Sequence, residues 1–152
     1  MANITFNIAK GRVTELYRRV KNADPATCAF VLVPIETTGL ETDAVLIDTA
    51  TLAALLLGTT NEQVTMGRKV LVAADIAAFP APDNTNDRME VSLPTVLWTA
   101  ATGNAISKIA VCYRNATADA DTAIVPLTMF DFVQSPSGAD IQMTTGLFHR
   151  AA

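Results

Sequence analysis

The first part of the chain changes its apolar pattern from a period of two to a helical period. Apolar and polar residues alternate over positions 4–8, which is the period of a half-buried strand or of an extended arm. Over positions 13–20 the apolar residues stand three and four apart, as in an amphipathic helix. Asp24-Pro25 ends this helix, because the residue before a proline is disfavoured in the α conformation. The pattern predicts an arm or edge strand over 1–9 and a helix over 10–22.

A buried strand and a short helix are predicted next, within residues 29–67. The run Ala29–Ile35 is apolar throughout and is bounded by turn residues, which indicates a strand in the interior of a sheet. Thr49 or Thr51 provides a cap for a short helix through Leu57, and the glycine that follows favours its end there.

From residue 68 to residue 152 the pattern is that of short strands separated by turns. Six segments have strand character: Arg68–Ala73, Arg88–Leu93, Val96–Thr99, Ile106–Arg114, Ala123–Val133 and Asp140–Phe148. Strands at this spacing are typical of a sandwich or a small barrel rather than of parallel βαβ units. We therefore expect one mainly β (α+β) domain over residues 1–152. It is a compact antiparallel β-sandwich or small barrel with the N-terminal helix packed on it.

The predicted strand Ala123–Val133 is apolar on both faces. One face carries Val125, Leu127, Met129 and Val133, and the other carries Ile124, Phe130 and Phe132. Such a strand needs cover on both sides, either from this chain's own helix or from a neighbouring subunit. Pro126 lacks a backbone donor, so we expect an edge position or a bulge there.

The composition is that of a folded domain with broad, weakly polar surfaces. Half of the residues are hydrophobic and 17% are charged, which excludes intrinsic disorder. The apolar runs are too short to span a bilayer, and the N-terminus lacks the apolar core of a signal peptide, so neither a membrane span nor secretion is expected. Cys28 and Cys112 lie in apolar segments, where reduced core thiols are expected. The abundance of alanine and threonine favours packing against other proteins.

Charge is distributed unevenly along the chain. Residues 1–23 hold five basic residues and one acidic residue, a balance of +4, whereas the remaining residues carry −8. The overall charge of −4 disfavours nucleic acid as the main partner. A basic segment on an acidic body is either a solvated helix face or a surface that docks on an acidic partner, and the sequence leaves both open.

Few residues of the chain are suited to catalysis. His149 is the single histidine, and no nucleophile signature surrounds it. The sequence contains no phosphate-binding loop or zinc motif, and the acidic loop 83–87 lacks the spacing of an EF-hand. We therefore expect no enzymatic activity, no cofactor, no metal ion and no small-molecule substrate. The competing hypothesis is a small enzyme or ligand-binding β domain whose site consists of Asp119, Asp121 and His149.

Five segments of the C-terminal half form a recurrent set of turns and strands. They are Trp98-Thr-Ala-Ala-Thr-Gly103, Ile109-Ala-Val-Cys-Tyr113, Ala123-Ile-Val-Pro-Leu127 leading to Asp131-Phe132, Ser135-Pro-Ser-Gly-Ala-Asp-Ile141 and Gly146-Leu-Phe-His-Arg150. Together they resemble a pattern common in small head-associated proteins of tailed bacteriophages. The resemblance covers about residues 68–150, and none of its motifs is catalytic. Pro126 departs from the pattern, which has an unbroken strand at this point.

The resemblance implies a structural virion protein of the capsid cement or decoration type. Such a protein is made in the host cytoplasm and sits on the capsid surface, and the neck or tail of the virion is the alternative location. Its partners would be the major capsid protein and sister copies, as a trimer, without nucleic acid or membrane. The N-terminal arm then either adds to a partner's sheet or forms the first strand of its own. The candidate protein-interface residues are Ile4, Phe6, Ile8, Ile124, Phe130 and Phe132.

Overall fold

The computed structural model describes residues 4–151, with the backbone alone at residue 147. The elements are β1 (Ile4–Thr5), a 3-10 turn (Asn7–Ala9), α1 (Val13–Lys21), β2 (Ala29–Glu36), α2 (Asp43–Leu46), α3 (Leu52–Leu55), β3 (Lys69–Leu71), β4 (Met89–Leu93), β5 (Val96–Trp98), β6 (Ile106–Arg114), β7 (Val125–Gln134), β8 (Ile141–Met143) and β9 (Gly146–Ala151). Strands hold 35% of the residues and helices 14%, so the prediction of a mainly β chain with antiparallel sheets is confirmed.

The strands form one large antiparallel sheet and two ribbons. The large sheet has the order β1-β7-β6-β2-β3, and the ribbons pair β4 with β9 and β5 with β8. The predicted strand Asp140–Phe148 is in fact two strands, because the chain changes its pairing partner between Met143 and Gly146. The edge strands β1 and β3 are two and three residues long and do not pair with each other. The described strands therefore form no closed barrel, and the barrel alternative is wrong.

One side of the large sheet, called the aromatic face here, is covered by α1. Phe30 of β2 and Tyr113 of β6 are paired on this side. The Tyr17 ring of α1 lies 5.8 Å from the Phe30 ring, which in turn lies 5.3 Å from Phe148 of β9. The helix and the β4–β9 ribbon therefore meet over the same face.

Helix α1 has the apolar stripe that its sequence predicts. Its buried side chains stand three and four residues apart, at Val13, Leu16, Tyr17 and Val20. The helix begins three residues later than predicted, because Gly11 has a φ of +77°, a left-handed conformation that does not continue a helix. It ends before Asp24-Pro25, as predicted.

The opposite side of the large sheet is called the ionic face here. Successive residues of a strand point to opposite sides, and β2 and β6 pair regularly over residues 108–114, so Lys108 points away from Tyr113. The Lys108 ammonium lies 2.7 Å from Asp131 of β7 and 3.2 Å from Asp43 of α2. Helix α2, which the sequence pattern did not predict, therefore lies on this face.

Helix α3 is the short helix that the sequence predicts in this region. Of the two candidate caps, Thr51 is the cap, because its hydroxyl accepts a hydrogen bond from the Ala54 N–H at 3.1 Å. The side chains of Leu52 and Leu55 are buried, and the Leu52 N–H donates to the Ile124 carbonyl at 2.9 Å. The helix also contacts β7. At this point β7 is thus covered by a helix of the same chain, and not by a neighbouring subunit.

Pro126 lies beside a bulge in β7, as the sequence predicts. The register of β6 and β7 shifts between Val111 and Cys112, opposite Pro126, so β7 carries one extra residue there. The alternation restarts beyond the bulge, with Val125 on the aromatic face and Met129 on the ionic face. The predicted placement of these two side chains on one face is therefore wrong.

Candidate protein interface

The predicted apolar stripe of the N-terminal arm is not formed, because the chain leaves the extended conformation after Thr5. Ile4 is half-buried and pairs with β7 at the edge of the large sheet. The Phe6 N–H donates to a β7 carbonyl at 3.0 Å, and its side chain is buried in this chain's own core. Ile8 lies in the 3-10 turn and is partly exposed. The segment from Ile4 is the first strand of its own sheet, and the rest of the predicted arm, residues 1–3, lies outside the described residues.

The predicted interface residues around β7 are also separated. Ile124 is also buried in this chain's own core, where α3 meets the sheet. Phe130 and Phe132 are half-buried on the aromatic face, and the Phe132 ring lies 6.4 Å from Trp98. Ile4 points to the other face. The structure therefore does not bring the six predicted residues into one surface.

The register of the large sheet brings four loops together at one end. Glu36 of β2, Ile106 of β6 and Gln134 of β7 are paired side by side, so the loops next to them meet there. The loop 59–66 joins them through the Glu36 N–H, which donates to the Asn61 carbonyl at 2.9 Å. This surface is called the loop platform and consists of residues 37–39, 59–66, 99–105 and 133–140. Sequence reasoning missed it, because the pairing that assembles it is between distant strands.

Gln63 fixes the position of the platform loops. Its side chain is buried, and its amide nitrogen donates to the carbonyls of Thr102 and Asn104 at 3.2 and 3.1 Å. Its amide oxygen accepts the N–H groups of Thr65 and Met66 at 2.7 and 3.1 Å. Every hydrogen-bonding group of this amide is thus used, and the loops on both sides are held in one arrangement.

Two segments that carry the resemblance to phage head proteins, Trp98–Gly103 and Ser135–Ile141, contact each other in the platform. The contact consists of three hydrogen bonds: Ala101 N–H to the Ala139 carbonyl (3.0 Å), Gly138 N–H to the Ala101 carbonyl (2.7 Å) and Ala100 N–H to the Asp140 carboxylate (2.8 Å). Gly103 has a φ of +107°, and a Cβ there would lie 2.0 Å from the Gln63 amide nitrogen. A side chain at this position would therefore displace Gln63.

The platform presents apolar side chains among uncharged polar groups. Val64 and Val133 are each 74% exposed. The platform residues include no lysine or arginine, and the Glu62 carboxylate is bound to Arg68 at 2.6 Å. Charge depletion around exposed apolar residues is typical of the centre of a protein–protein interface. The platform is therefore the best candidate interface of this chain.

The three residues of the competing enzyme hypothesis are each engaged elsewhere. Asp119 accepts two backbone N–H groups of its own loop at 2.8 Å. Asp121 binds Arg68 through both carboxylate oxygens, at 2.6 and 2.9 Å, and this lowers the pKa of Asp121. His149 lies in β9, where burial lowers its pKa. Within the described part of the chain, no hydrogen bond or ion pair joins any two of these residues.

Other polar groups that could serve a ligand are occupied by local contacts. Asp83 is bound by the Asn86 side-chain amide, which lowers the pKa of Asp83, and by backbone N–H groups of the same turn. Among residues 4–151, no group of three or more histidine, cysteine and acidic side chains is placed to hold a metal ion. A shallow cleft has a mostly apolar lining, and its carboxylate, from Asp75, accepts the Val72 N–H at 2.8 Å. Cys28 and Cys112 are free and buried, and burial raises the pKa of both thiols.

In the part of the chain that the structure describes, the helices are too short or too polar to cross a membrane. Comparison with protein-family models, with curated proteins and with solved structures finds no match to this sequence or its fold.

Proposed function

We propose that this protein is a structural virion protein that binds the outside of a phage capsid lattice and stabilises it. The observation that carries the proposal is the loop platform, in which the segments Trp98–Gly103 and Ser135–Ile141 are hydrogen-bonded to each other. These are segments whose sequence resembles small head-associated proteins of tailed phages. The partners are the major capsid protein and sister copies of this chain, arranged as a trimer at three-fold positions.

The order of the platform loops suits a protein that stabilises a lattice through the surface area it buries on binding. Loops that are already ordered by Gln63 lose little conformational entropy on binding, so more of the interaction energy remains as affinity. Each contact on a lattice is modest, but repeated contacts raise the effective affinity by about 10²–10⁴-fold. In this role the ribbons β4–β9 and β5–β8 serve as the second layer of a β-sandwich with the large sheet.

Two exposed valines provide a direct test. Capsids assembled without this chain are mixed with purified wild-type protein, Val64→Asp, Val133→Asp or the control Val72→Asp, which changes a partly exposed valine outside the platform. We expect the two platform variants to bind at least tenfold more weakly, because a buried unpaired carboxylate opposes docking. The control should bind as the wild type does, and all four proteins should have the same melting temperature.

Two results would contradict the proposal. One is the absence of this chain from purified virions analysed by mass spectrometry. The other is undiminished capsid binding by both platform variants. Presence of the chain in neck or tail fractions alone would contradict the capsid location.

A further inference from the structure

The charges of this chain are separated between two segments of the sequence. Residues 22–67 contain six carboxylates and no lysine or arginine, whereas residues 1–23 carry a balance of +4. Helix α1 lies on the aromatic face through its contact with Phe30, and α2 lies on the ionic face through its contact with Lys108. The large sheet therefore stands between α1 and α2, and the acidic segment reaches residue 7 beyond α2, where the Asn7 N–H donates to the Ile47 carbonyl at 2.9 Å.

The outward side of α1, with the residue Lys10 before it, is called the basic face. Its exposed charged residues are Lys10, Arg12, Glu15, Arg18 and Arg19. Glu15 pairs with Arg19 at 2.7 Å, which leaves three cations without an ion pair among the described residues; one of them, Arg18, lies over the Phe79 ring at 5.9 Å. Lys21 is not part of this face, because its ammonium donates to backbone carbonyls of residues 73 and 76 at 3.0 and 2.8 Å.

The outward side of α2 and of the segment after α3 is called the acidic face. It carries the carboxylates of Glu41, Asp43 and Asp48 and two exposed apolar residues; Asp43 is also bound to Lys108 at 3.2 Å, and Asp48 accepts the Asn7 side-chain amide. Val45 is 52% exposed and Leu57 is 84% exposed. Glu41 lies beside Leu57, because a Cβ on the next residue, Gly58, would be 2.6 Å from the Glu41 carboxylate. The acidic face thus combines exposed apolar side chains with carboxylates.

We propose that the basic face of one copy docks on the acidic face of a second copy. The cations of the basic face meet the carboxylates of the acidic face, and the stems of the arginines cover Val45 and Leu57. Because the two surfaces differ, the contact is heterologous, and each pair of copies retains one free face of each kind. Further copies can then add until a ring closes. This contact goes beyond attachment to a capsid and does not depend on it.

The test uses two double variants that each break one face. Arg12→Glu/Arg18→Glu breaks the basic face, and Val45→Lys/Leu57→Lys breaks the acidic face at exposed positions. Val70→Lys/Val72→Lys is the matched control, since it adds the same charge at partly exposed valines of β3 and of the residue after it. Sedimentation velocity over a concentration series gives the size of each species, at low ionic strength and in about 0.5 M NaCl, where the Debye length is only about 4 Å.

The expected pattern is specific to a heterologous contact. Wild type and control associate at low salt and dissociate at high salt, and each face variant associates at least tenfold more weakly. An equimolar mixture of the two face variants forms dimers and nothing larger, because one intact basic face meets one intact acidic face. A monomeric wild type at low salt, association that both face variants retain, or a mixture without dimers would each overturn the proposal. The last result would indicate a symmetric contact or a different protein as the partner of these faces.

Discussion

The two faces of the large sheet are closed by different kinds of contact, although the same strands build both. On the aromatic face, the Phe30 ring lies 5.8 Å from the Tyr17 ring and 5.3 Å from the Phe148 ring. On the ionic face, Lys108 holds α2 through Asp43. The nine-residue amphipathic helix α1 is held by the apolar area that it buries. The four-residue helix α2 has little stability of its own and needs a specific contact with the sheet. The comparison predicts that the free energy of unfolding falls when side-chain volume is lost on the aromatic face and when charge is lost on the ionic face.

A second cluster of charges is formed by Arg68, Glu62 and Asp121. Cys112 of β6 lies four residues from Lys108 on the same side of the strand. Burial raises the pKa of Cys112, and the charges of Arg68, Asp121 and Glu62 also act on it. The Arg68 cluster binds a segment before β3 to the loop before β7.

The largest effect is expected from Phe30→Ala on the aromatic face. Phe30 is fully buried between two other rings, so its truncation leaves a cavity that neither ring can fill. We expect the free energy of unfolding to fall by about 3–5 kcal/mol, measured by urea denaturation. Val70→Ala in the neighbouring strand β3 is the control and should cost less than about 1 kcal/mol, because Val70 is partly exposed. Equal losses for the two variants would refute the role given to the aromatic face.

Lys108→Met tests the ionic face, with a smaller expected loss. The substitution keeps the apolar stem but leaves Asp43 and Asp131 without this cation. Both carboxylates are 39% exposed, so water compensates part of the loss, and we expect about 1–3 kcal/mol at pH 7. Amide hydrogen exchange should also increase in α2 more than in α1, since Lys108 binds α2 to the sheet through Asp43.

The pH dependence of this loss distinguishes charge from packing. Burial lowers the pKa of Lys108, but hydrogen bonds to Asp131 and Asp43 raise it more, so the pKa in the folded state is above its ordinary value. A raised lysine pKa stabilises the fold below the ordinary pKa of about 10.4, and this contribution is lost as pH rises through the folded-state pKa. The gap between wild type and Lys108→Met should therefore narrow above about pH 11. A gap that stays constant into alkaline solution would assign the loss to packing alone.

Elements with long or strongly periodic patterns could be predicted from the sequence, and elements set by distant contacts could not. The stripe of α1 and the interior strand β2 follow from local periodicity. Helix α2 has only four residues and depends on Lys108, which is 65 positions from Asp43 in the chain. The alternation at positions 4–8 failed as a strand pattern because Phe6 turns into the core instead of continuing along β7.

The candidate interface was the least predictable feature. Apolar residues such as Phe6 and Ile124 indicate burial and contact, but the sequence does not tell whether the contact lies within the chain or with a partner. Val64 and Val133 have no local signal that separates them from core valines. Their exposure follows from loops that meet only after β2, β6 and β7 have paired, with Gln63 joining them. Long-range register, not composition, creates the platform.

The smallest effect is expected from Asp121→Asn in the second charge cluster. Its pH dependence is opposite to that of Lys108, because the stabilisation by Asp121 is lost in acid and not in alkali. The hydrogen bonds from Arg68 lower the pKa of Asp121, so the pair stabilises the fold above the ordinary pKa of 3.8 and is lost as pH falls through the folded-state value. Asp121 is 36% exposed and Arg68 keeps Glu62 as a partner, so the loss at pH 7 should be only about 0.5–1 kcal/mol. Urea denaturation should show this gap unchanged from about pH 5 to 8 and closed near pH 2. Asp87→Asn, an exposed control whose left-handed backbone asparagine tolerates, should show no such pH-dependent gap. A gap that persists in acid would mean that Asp121 acts through its shape and backbone contacts rather than through its charge.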